Sequence, residues 1–329
     1  MRKPGHILGM LLAALSVLAV PPCSAAETYP SLPITLIVPY PPGGGIDPAA
    51  RVYADALAKA LDAKIIIQNQ GGASGMIGTA RVARSAPDGY TLLFGSVAPN
   101  VILPAAYPSE LNYDARKDFA PIGLIAQADY VLLASSKLPV NSFKDLIDYA
   151  KKQSTPIAYA SSGQLSGPHL AGELLSKLAG VKMMHVPYRG NGPALTALMS
   201  GEVSFMFDSA GGVASRGTSD KYKVLAVTGG QPYTDDPSVP NLGTLYPGHD
   251  VSQWYGLMAQ ADTPPEILKR LRAAHDKAVH SPELQRRYKE MGLDVITDSS
   301  PAKFQAYIDS EITRWQRILT TQNVAIPKL

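Results

Sequence analysis

A single cysteine, Cys23, occurs in 329 residues. That excludes an intrachain disulfide and any thiolate-rich metal site. Charge is sparse as well. Only 17% of residues are Asp, Glu, Lys or Arg, and the formal net charge of +3 comes with no basic cluster, which excludes nucleic acid as an obvious partner. After the first twenty residues no stretch approaches the ~20 consecutive apolar residues of a membrane span. Enzyme signatures are missing too. Gly43-Gly44-Gly45-Ile46-Asp47-Pro48 has proline where a dinucleotide fingerprint needs its last small residue. No Walker lysine follows either glycine turn, and Gly72-Ala73-Ser74-Gly75 brings its second glycine one place too early for a nucleophile elbow. The histidines form no HExxH pattern, and His275 and His280 are spaced five apart, off a common helix face. No catalytic residue, metal or cofactor is expected.

The N-terminus reads as an export signal. Arg2 and Lys3 precede an apolar run from Ile7 to Val20, and Ser24-Ala25-Ala26 supplies small residues for cleavage after Ala26. Cys23 follows Val20-Pro21-Pro22, which is no lipobox, and cleavage would discard it. About 300 residues remain, enough for two lobes of ordinary size.

The mature chain is organised around residues 34–48. Ile34 to Val38 is an apolar, β-branched run of the kind buried on both faces of a sheet. Pro39, Pro41 and Pro42 end it, the three glycines turn it, and Asp47-Pro48 reads as an N-cap and first helical residue. A glycine turn feeding a helix N-terminus offers free N–H groups to an anion.

The same scheme recurs. Strands are expected at 64–68 and 91–96, with a second glycine turn at 71–75 whose Ser74 caps the next helix. Two further strands are expected at 121–126 and 130–134, with passage to a second lobe near Ala128. Beyond it, strands at 157–160, 183–186, 203–207 and 224–227 alternate with polar turns and helices. Residues 231–250 read as loop. A strand at 254–259 returns to the first lobe, and three helices announced by Thr263-Pro264-Pro265-Glu266, Ser281-Pro282 and Ser300-Pro301 close the chain. The expected fold is α/β, with two lobes of mainly parallel sheet flanked by helices and joined by two crossing strands. Residues 27–128 and 253–329 form lobe 1, and 129–252 form lobe 2. A ligand site between such lobes is the plan of a hinged binding protein.

The candidate site residues lie at strand ends. They are Tyr40, Gly43, Gly44, Gly45 and Asp47 in the first loop, Ser96 after the third strand, Ser161, Ser162, Ser166 and His169 in the turn before a helix, Arg189 in the turn after 183–186, and Asp208. Asp47 reads either as a plain N-cap or as a cleft acceptor. Arg189 offers a donor fork that suits a carboxylate, or is a solvated loop residue. The serines either donate hydroxyls to an anion or cap the helix that follows.

Pro39-Tyr40-Pro41-Pro42-Gly43-Gly44-Gly45-Ile46-Asp47 resembles the opening motif of Bug-type extracytoplasmic solute receptors, the binding subunits of tripartite tricarboxylate transporters. Ala86-Pro87-Asp88-Gly89-Tyr90-Thr91-Leu92-Leu93, Tyr159-Ala160-Ser161-Ser162-Gly163, His169-Leu170-Ala171-Gly172-Glu173-Leu174 and His185-Val186-Pro187-Tyr188-Arg189-Gly190 extend the resemblance over nearly the whole mature chain. It implies a type II-like periplasmic binding protein that closes on a small carboxylate. It also implies that the loops matching Pro41 to Asp47 and Ser161 to His169 grip the ligand. By resemblance the partners are integral membrane permease subunits, and a monomer suits the role. Four places depart from the family pattern: Tyr40 stands where phenylalanine is usual, Ile46 follows the glycines, Gln164-Leu165 replaces small residues, and the 96–100 segment has no histidine. Ile46 and Leu165 favour an aromatic or longer-chain acid over citrate. A sensor feeding a signalling pathway, and a hydrolase or lyase acting in the same cleft, are the alternative readings.

Overall fold

A computed structural model of the chain describes residues 29–43, 46–217, 219–229, 236–321, 324 and 326. The leader expected at 1–26, with Cys23, lies outside them, as do Gly44 and Gly45.

The chain opens with β1 (Ile34–Val38), α1 (Ile46–Leu61), β2 (Ile65–Asn69), α2 (Met76–Ala83) and β3 (Thr91–Ser96). β1 pairs in parallel with both β2 and β3, the outcome expected when each strand returns through a helix. A helical stretch then runs from Ala98 into α3 (Leu103–Ala106), where no helix was expected.

The sequence splits the next segment into two strands around Gln127-Ala128-Asp129, but the structure makes it one. β4 (Phe119–Ser135) is 17 residues long. Up to Asp129 it pairs with β9 (Ser252–Gln260), and from Tyr130 onward it pairs with two strands of a second sheet, β7 (Phe205–Ser209) and β8 (Tyr222–Val227). The polar residues at the changeover do not break the strand, because the ladder continues through Asp129↔Ser252 and satisfies the backbone there. β4 therefore belongs to both sheets.

The second sheet repeats the first in outline. α4 (Phe143–Lys152) starts as expected, with the Ser142 side chain accepting from the Asp145 N–H at 3.1 Å. β5 (Ile157–Ser161), α5 (Gly167–Ala179), β6 (Met183–Pro187) and α6 (Asn191–Ser200) follow, and β5 pairs in parallel with β6 and β7. α7 (Ala210–Arg216) and α8 (Leu242–Leu245) are short helices absent from the sequence reading. The strand expected at 203–207 begins two residues later, which places Asp208 inside β7 rather than just past it. The chain ends with α9 (Pro265–Val279), α10 (Pro282–Glu290), β10 (Asp294–Val295) and α11 (Pro301–Thr321). Each sheet has a parallel portion, and β4 and β9 run antiparallel to their neighbours, so the sheets are mixed.

Three further local expectations fail. α9 is preceded by Pro264, with no side-chain cap, and Thr263 Oγ1 instead donates to the Gln260 carbonyl at 2.7 Å. Ser281 makes no side-chain cap either, whereas Ser300 Oγ does accept from the Lys303 N–H at 3.1 Å. Ser74 does not cap α2. The residue before that helix is Gly75, which is left-handed (φ +93°) and has no side chain to offer.

The stripe along α11 is core. Phe304, Ile308, Ile312, Trp315 and Leu319 are buried, and Phe304 meets the indole of Trp254 edge-on at 5.4 Å. Gly256 in β9 makes this contact possible, since a Cβ there would lie 2.2 Å from the Phe304 ring. α7 also packs closely against the end of α10. A Cβ on Gly211 of α7 would lie 1.6 Å from the Met291 carbonyl oxygen after α10.

Candidate functional site

β1, β3, β5, β6 and β7 all end on the same edges of their sheets, and the loops leaving these ends hold the candidate residues. Open α/β sheets bind ligands at this edge.

The first loop is ordered by Asp47. It lies one residue inside α1, not at its cap, and is 6% exposed. Its Oδ2 accepts from the Gly43 N–H at 3.3 Å and from Arg51 Nε at 3.2 Å, and its Oδ1 accepts from Asn69 Nδ2 at 3.0 Å. Arg51 also pairs with Oδ1 at 3.1 Å. Burial by itself would raise this carboxyl, but the bonds from Asn69, Arg51 and the Gly43 N–H outweigh it and hold it below the ordinary range. The Asn69 amide also donates to the Tyr40 carbonyl at 3.2 Å, fixing where the loop leaves the sheet. Asp47 is thus occupied by its own loop. Tyr40, which follows β1, has its hydroxyl 3.2 Å from Ser96 Oγ, and burial pushes it up to about 12. Ser96 is itself held by Asn100 Oδ1, which accepts from its N–H at 3.1 Å.

The second loop is built differently. Ser161 ends β5 and is fully buried. Its Oγ accepts from the Gly163 N–H at 3.1 Å and lies 2.6 Å from His185 Nε2. Ser162 accepts from the Gly190 N–H through its carbonyl at 3.3 Å, which ties the turn after β6 to this loop. Ser166 precedes α5. Its Oγ donates to the Gly163 carbonyl at 2.8 Å and accepts from the His169 N–H at 3.4 Å. His169 Nδ1 accepts from the Leu165 N–H at 3.0 Å, and its ring stacks on His185 at 3.9 Å. Burial depresses both imidazoles, His169 to about 3 with His185 adding to the shift, and His185 to about 4. Both are neutral at pH 7. Leu165 holds φ +55°, a strained angle for a branched side chain, at the tip of the loop.

Asp208 is 1% exposed and is paired with Arg216 of α7, with Asn191 Nδ2 and the Ser209 N–H as further donors. Burial raises this carboxyl against the pull of Arg216. Arg189 is exposed and has no hydrogen-bond or ion-pair partner among the described residues. The cation the sequence singled out therefore stands apart from the carboxylate, and Arg216, which was not singled out, neutralises Asp208.

The glycine turn before α2 meets the second loop. Ser74 Oγ, from the glycine turn before α2, donates to the Gln164 carbonyl at 2.7 Å. Ala73 and Ser74 both hold positive φ angles, +47° and +53°, which turn the hydroxyl outward instead of onto α2. Sequence reasoning missed Asn69, His185, Arg216 and this contact. Asn69 and His185 carried a signal, as polar residues in or ending otherwise apolar strands. Arg216 and Gln164 carried none. Among the described residues no cluster of His, Cys, Asp and Glu fits a metal ion.

Asp47 is paired with Arg51 and Asp208 with Arg216, and both imidazoles are neutral, so the buried residues of these loops leave no charge unpaired. The family model described as tripartite tricarboxylate transporter family receptor matches residues 49–324. The chain belongs to this family. BugT of Bordetella pertussis is 32% identical over 314 residues, covering 95% of each chain. A protein encoded in the gbd 5′ region of Cupriavidus necator is 33% identical over 270 residues, 82% of this chain and 81% of the relative. Among solved structures, an R. palustris protein with adipate superposes with a TM-score of 0.83 at 30% identity, covering 90% of this chain and 99% of its own. MatC from Rhodopseudomonas palustris with bound malate gives 0.81 at 30%, covering 88% and 100%. BugD, a periplasmic binding protein, gives 0.81 at 30%, covering 90% and 99%. The two-lobed type II-like fold is thus that of a family of solute-binding receptors, not enzymes.

Proposed function

We propose that this protein is a periplasmic receptor that captures a small carboxylate between its lobes and delivers it, as a monomer, to the permease subunits of a tripartite transporter. The lobes are residues 27–128 with 253–329, and residues 129–252, and export follows from a leader cleaved after Ala26. The observation that supports this reading is the neutral loop from Ser161 to His169 at the start of α5, which the turn before α2 meets through the Ser74–Gln164 hydrogen bond. Helix-start N–H groups and hydroxyls bind a carboxylate without a free cation. Two relatives of the same fold were solved with dicarboxylates, adipate and malate. In this reading Tyr40, Gly43, Gly44, Gly45, Ser96, Ser161, Ser162, Ser166 and His169 surround the ligand, Asp47 and Asp208 shape the loops, and Arg189 closes over the mouth. Ile46 and Leu165 favour an aromatic or longer-chain acid over citrate.

The test is thermal unfolding of the mature protein, freed of co-purified ligand, against citrate, malate, adipate, glutamate, nicotinate, benzoate and terephthalate. An acid present at 100 times its dissociation constant adds about 2.7 kcal/mol. A clear upward shift with one class of acid is expected. No shift with any of them overturns the carboxylate reading, and preference for citrate over the aromatic and C6 acids overturns the size preference.

A further inference from the structure

Tyr130 is the first residue of β4 in the second sheet and was not among the site residues read from the sequence. It is 3% exposed. Its backbone is fully engaged, donating to Thr228 Oγ1 at 2.9 Å and accepting from the Thr228 N–H at 2.9 Å. Its hydroxyl makes no hydrogen bond among the described residues. A buried tyrosine normally finds a partner for its O–H. The hydroxyl is also not among the fully enclosed unpaired polar atoms, so a ligand atom can reach it.

Its direction is fixed by Gly167, the first residue of α5. A Cβ there would fall 2.2 Å from the Tyr130 hydroxyl oxygen, so the phenol tip fills the place of the missing side chain. Around it the helix start has spare donors. Ser166 takes the His169 N–H with its side chain and the Leu170 N–H with its carbonyl. Pro168 has no N–H, and the Gly167 N–H has no partner among the described residues. An unpaired phenol and an unpaired helix-start N–H thus lie side by side, both inside the 13-residue helix's positive end.

We infer that Tyr130 is a ligand-binding residue whose hydroxyl, with the Gly167 N–H, donates to one carboxylate group of the bound acid. This rests on the carboxylate reading above and assigns it a residue. The nearby charges do not oppose it. Asp208 faces Tyr130, but Arg216 neutralises it. Burial first, then Tyr255, Tyr40 and Asp208, hold the phenol far above its ordinary range, so it stays a donor at every physiological pH. Tyr255 accepts from Gln253 Nε2 and keeps its own proton free to donate. The two phenols lie on opposite sides of the sheet changeover, so an acid held by both bridges the lobes.

Titration calorimetry of the wild type and of Tyr130→Phe with malate, adipate and benzoate tests the assignment. With an acid that binds the wild type, Tyr130→Phe weakens binding about tenfold or more, because a charge-assisted bond is lost. The melting temperature without ligand stays unchanged, since the phenol has no partner in the protein to lose. Affinity within twofold of wild type overturns the assignment and leaves the carboxylate reading standing. If the wild type binds none of these acids and none of the wider panel above, both fall together. Should the variant not fold, a crystal structure of the wild-type complex decides the matter. Tyr130 Oη within about 3 Å of a carboxylate oxygen supports the assignment, and separation beyond hydrogen-bond reach overturns it.

Discussion

The two loops that leave β1 and β5 solve the same problem by opposite means. Both follow a strand, turn through glycine and enter a helix. The first is held by charge: Asp47 draws together the Gly43 N–H, Asn69 and Arg51, and its carboxylate is used up in doing so. The second is held by neutral groups, with Ser161, Ser166 and two stacked imidazoles kept uncharged by burial. One loop therefore spends a buried charge on its own bracing, and the other is braced without one. A cation is absent from the second loop for a physical reason. A buried unpaired charge would cost more than a carboxylate visiting part of the time could repay.

The comparison breaks most visibly at Asp47. Replacing it with alanine leaves the Gly43 N–H unpaired and the Asn69 amide with only the Tyr40 carbonyl, and destabilises the protein by about 2–3 kcal/mol in urea unfolding. The half-exposed Arg51 contributes little of that, because water screens it. Ligand affinity falls along with stability, since the whole loop loosens.

The loops also part company as pH falls. His169 and His185 have folded values of about 3 and about 4, below the ordinary 6.5 of the unfolded chain. Their contribution is fully present above pH 6.5 and is lost as pH falls from there towards 4, where only the unfolded state takes the protons. Asp47 is also lowered, but from a carboxylate's 3.8, so its contribution is lost only below that pH. Asp129, raised to about 6 by burial and by Asp294 and Asp250, works in the other direction and offsets part of the loss. Between pH 7 and 4.5 the wild type should lose about 2 kcal/mol more than His185→Asn, whereas Asp47→Asn should follow the wild-type slope. Equal slopes for the wild type and His185→Asn would erase the distinction between the loops.

Ser161→Ala is a smaller perturbation. It strands the Gly163 N–H and His185 Nε2, costs about 1 kcal/mol of stability, and weakens ligand binding by more than that cost. The mildest is Ser74→Ala. It removes one cross-cleft hydrogen bond, leaves overall stability within about 0.5 kcal/mol, and speeds ligand release several-fold in stopped-flow displacement.

Much of this was readable beforehand where the relevant chemistry is local. Glycine and proline punctuation located both loops, and of the two readings left open for Ser166 the capping one formed. The stripe on α11 is buried as its spacing predicts. Misreadings came where a local pattern had a distant competitor. Ser74 sits where a helix cap is expected, yet its positive φ sends the hydroxyl to Gln164, ninety positions away. The polar step at 127–129 looks like a break between strands, yet pairing with β9 carries β4 through it.

The sequence by itself determined the order of strand, turn and helix, the family, and the loops that frame the cleft, because periodicity, chain stiffness and capping act between residues a few positions apart. Tertiary structure alone decided which polar groups are spent and which are free. Asp208 found Arg216, and Tyr130 found only the space left by Gly167. A residue type states what a side chain can donate or accept, but only packing decides which distant group arrives to meet it.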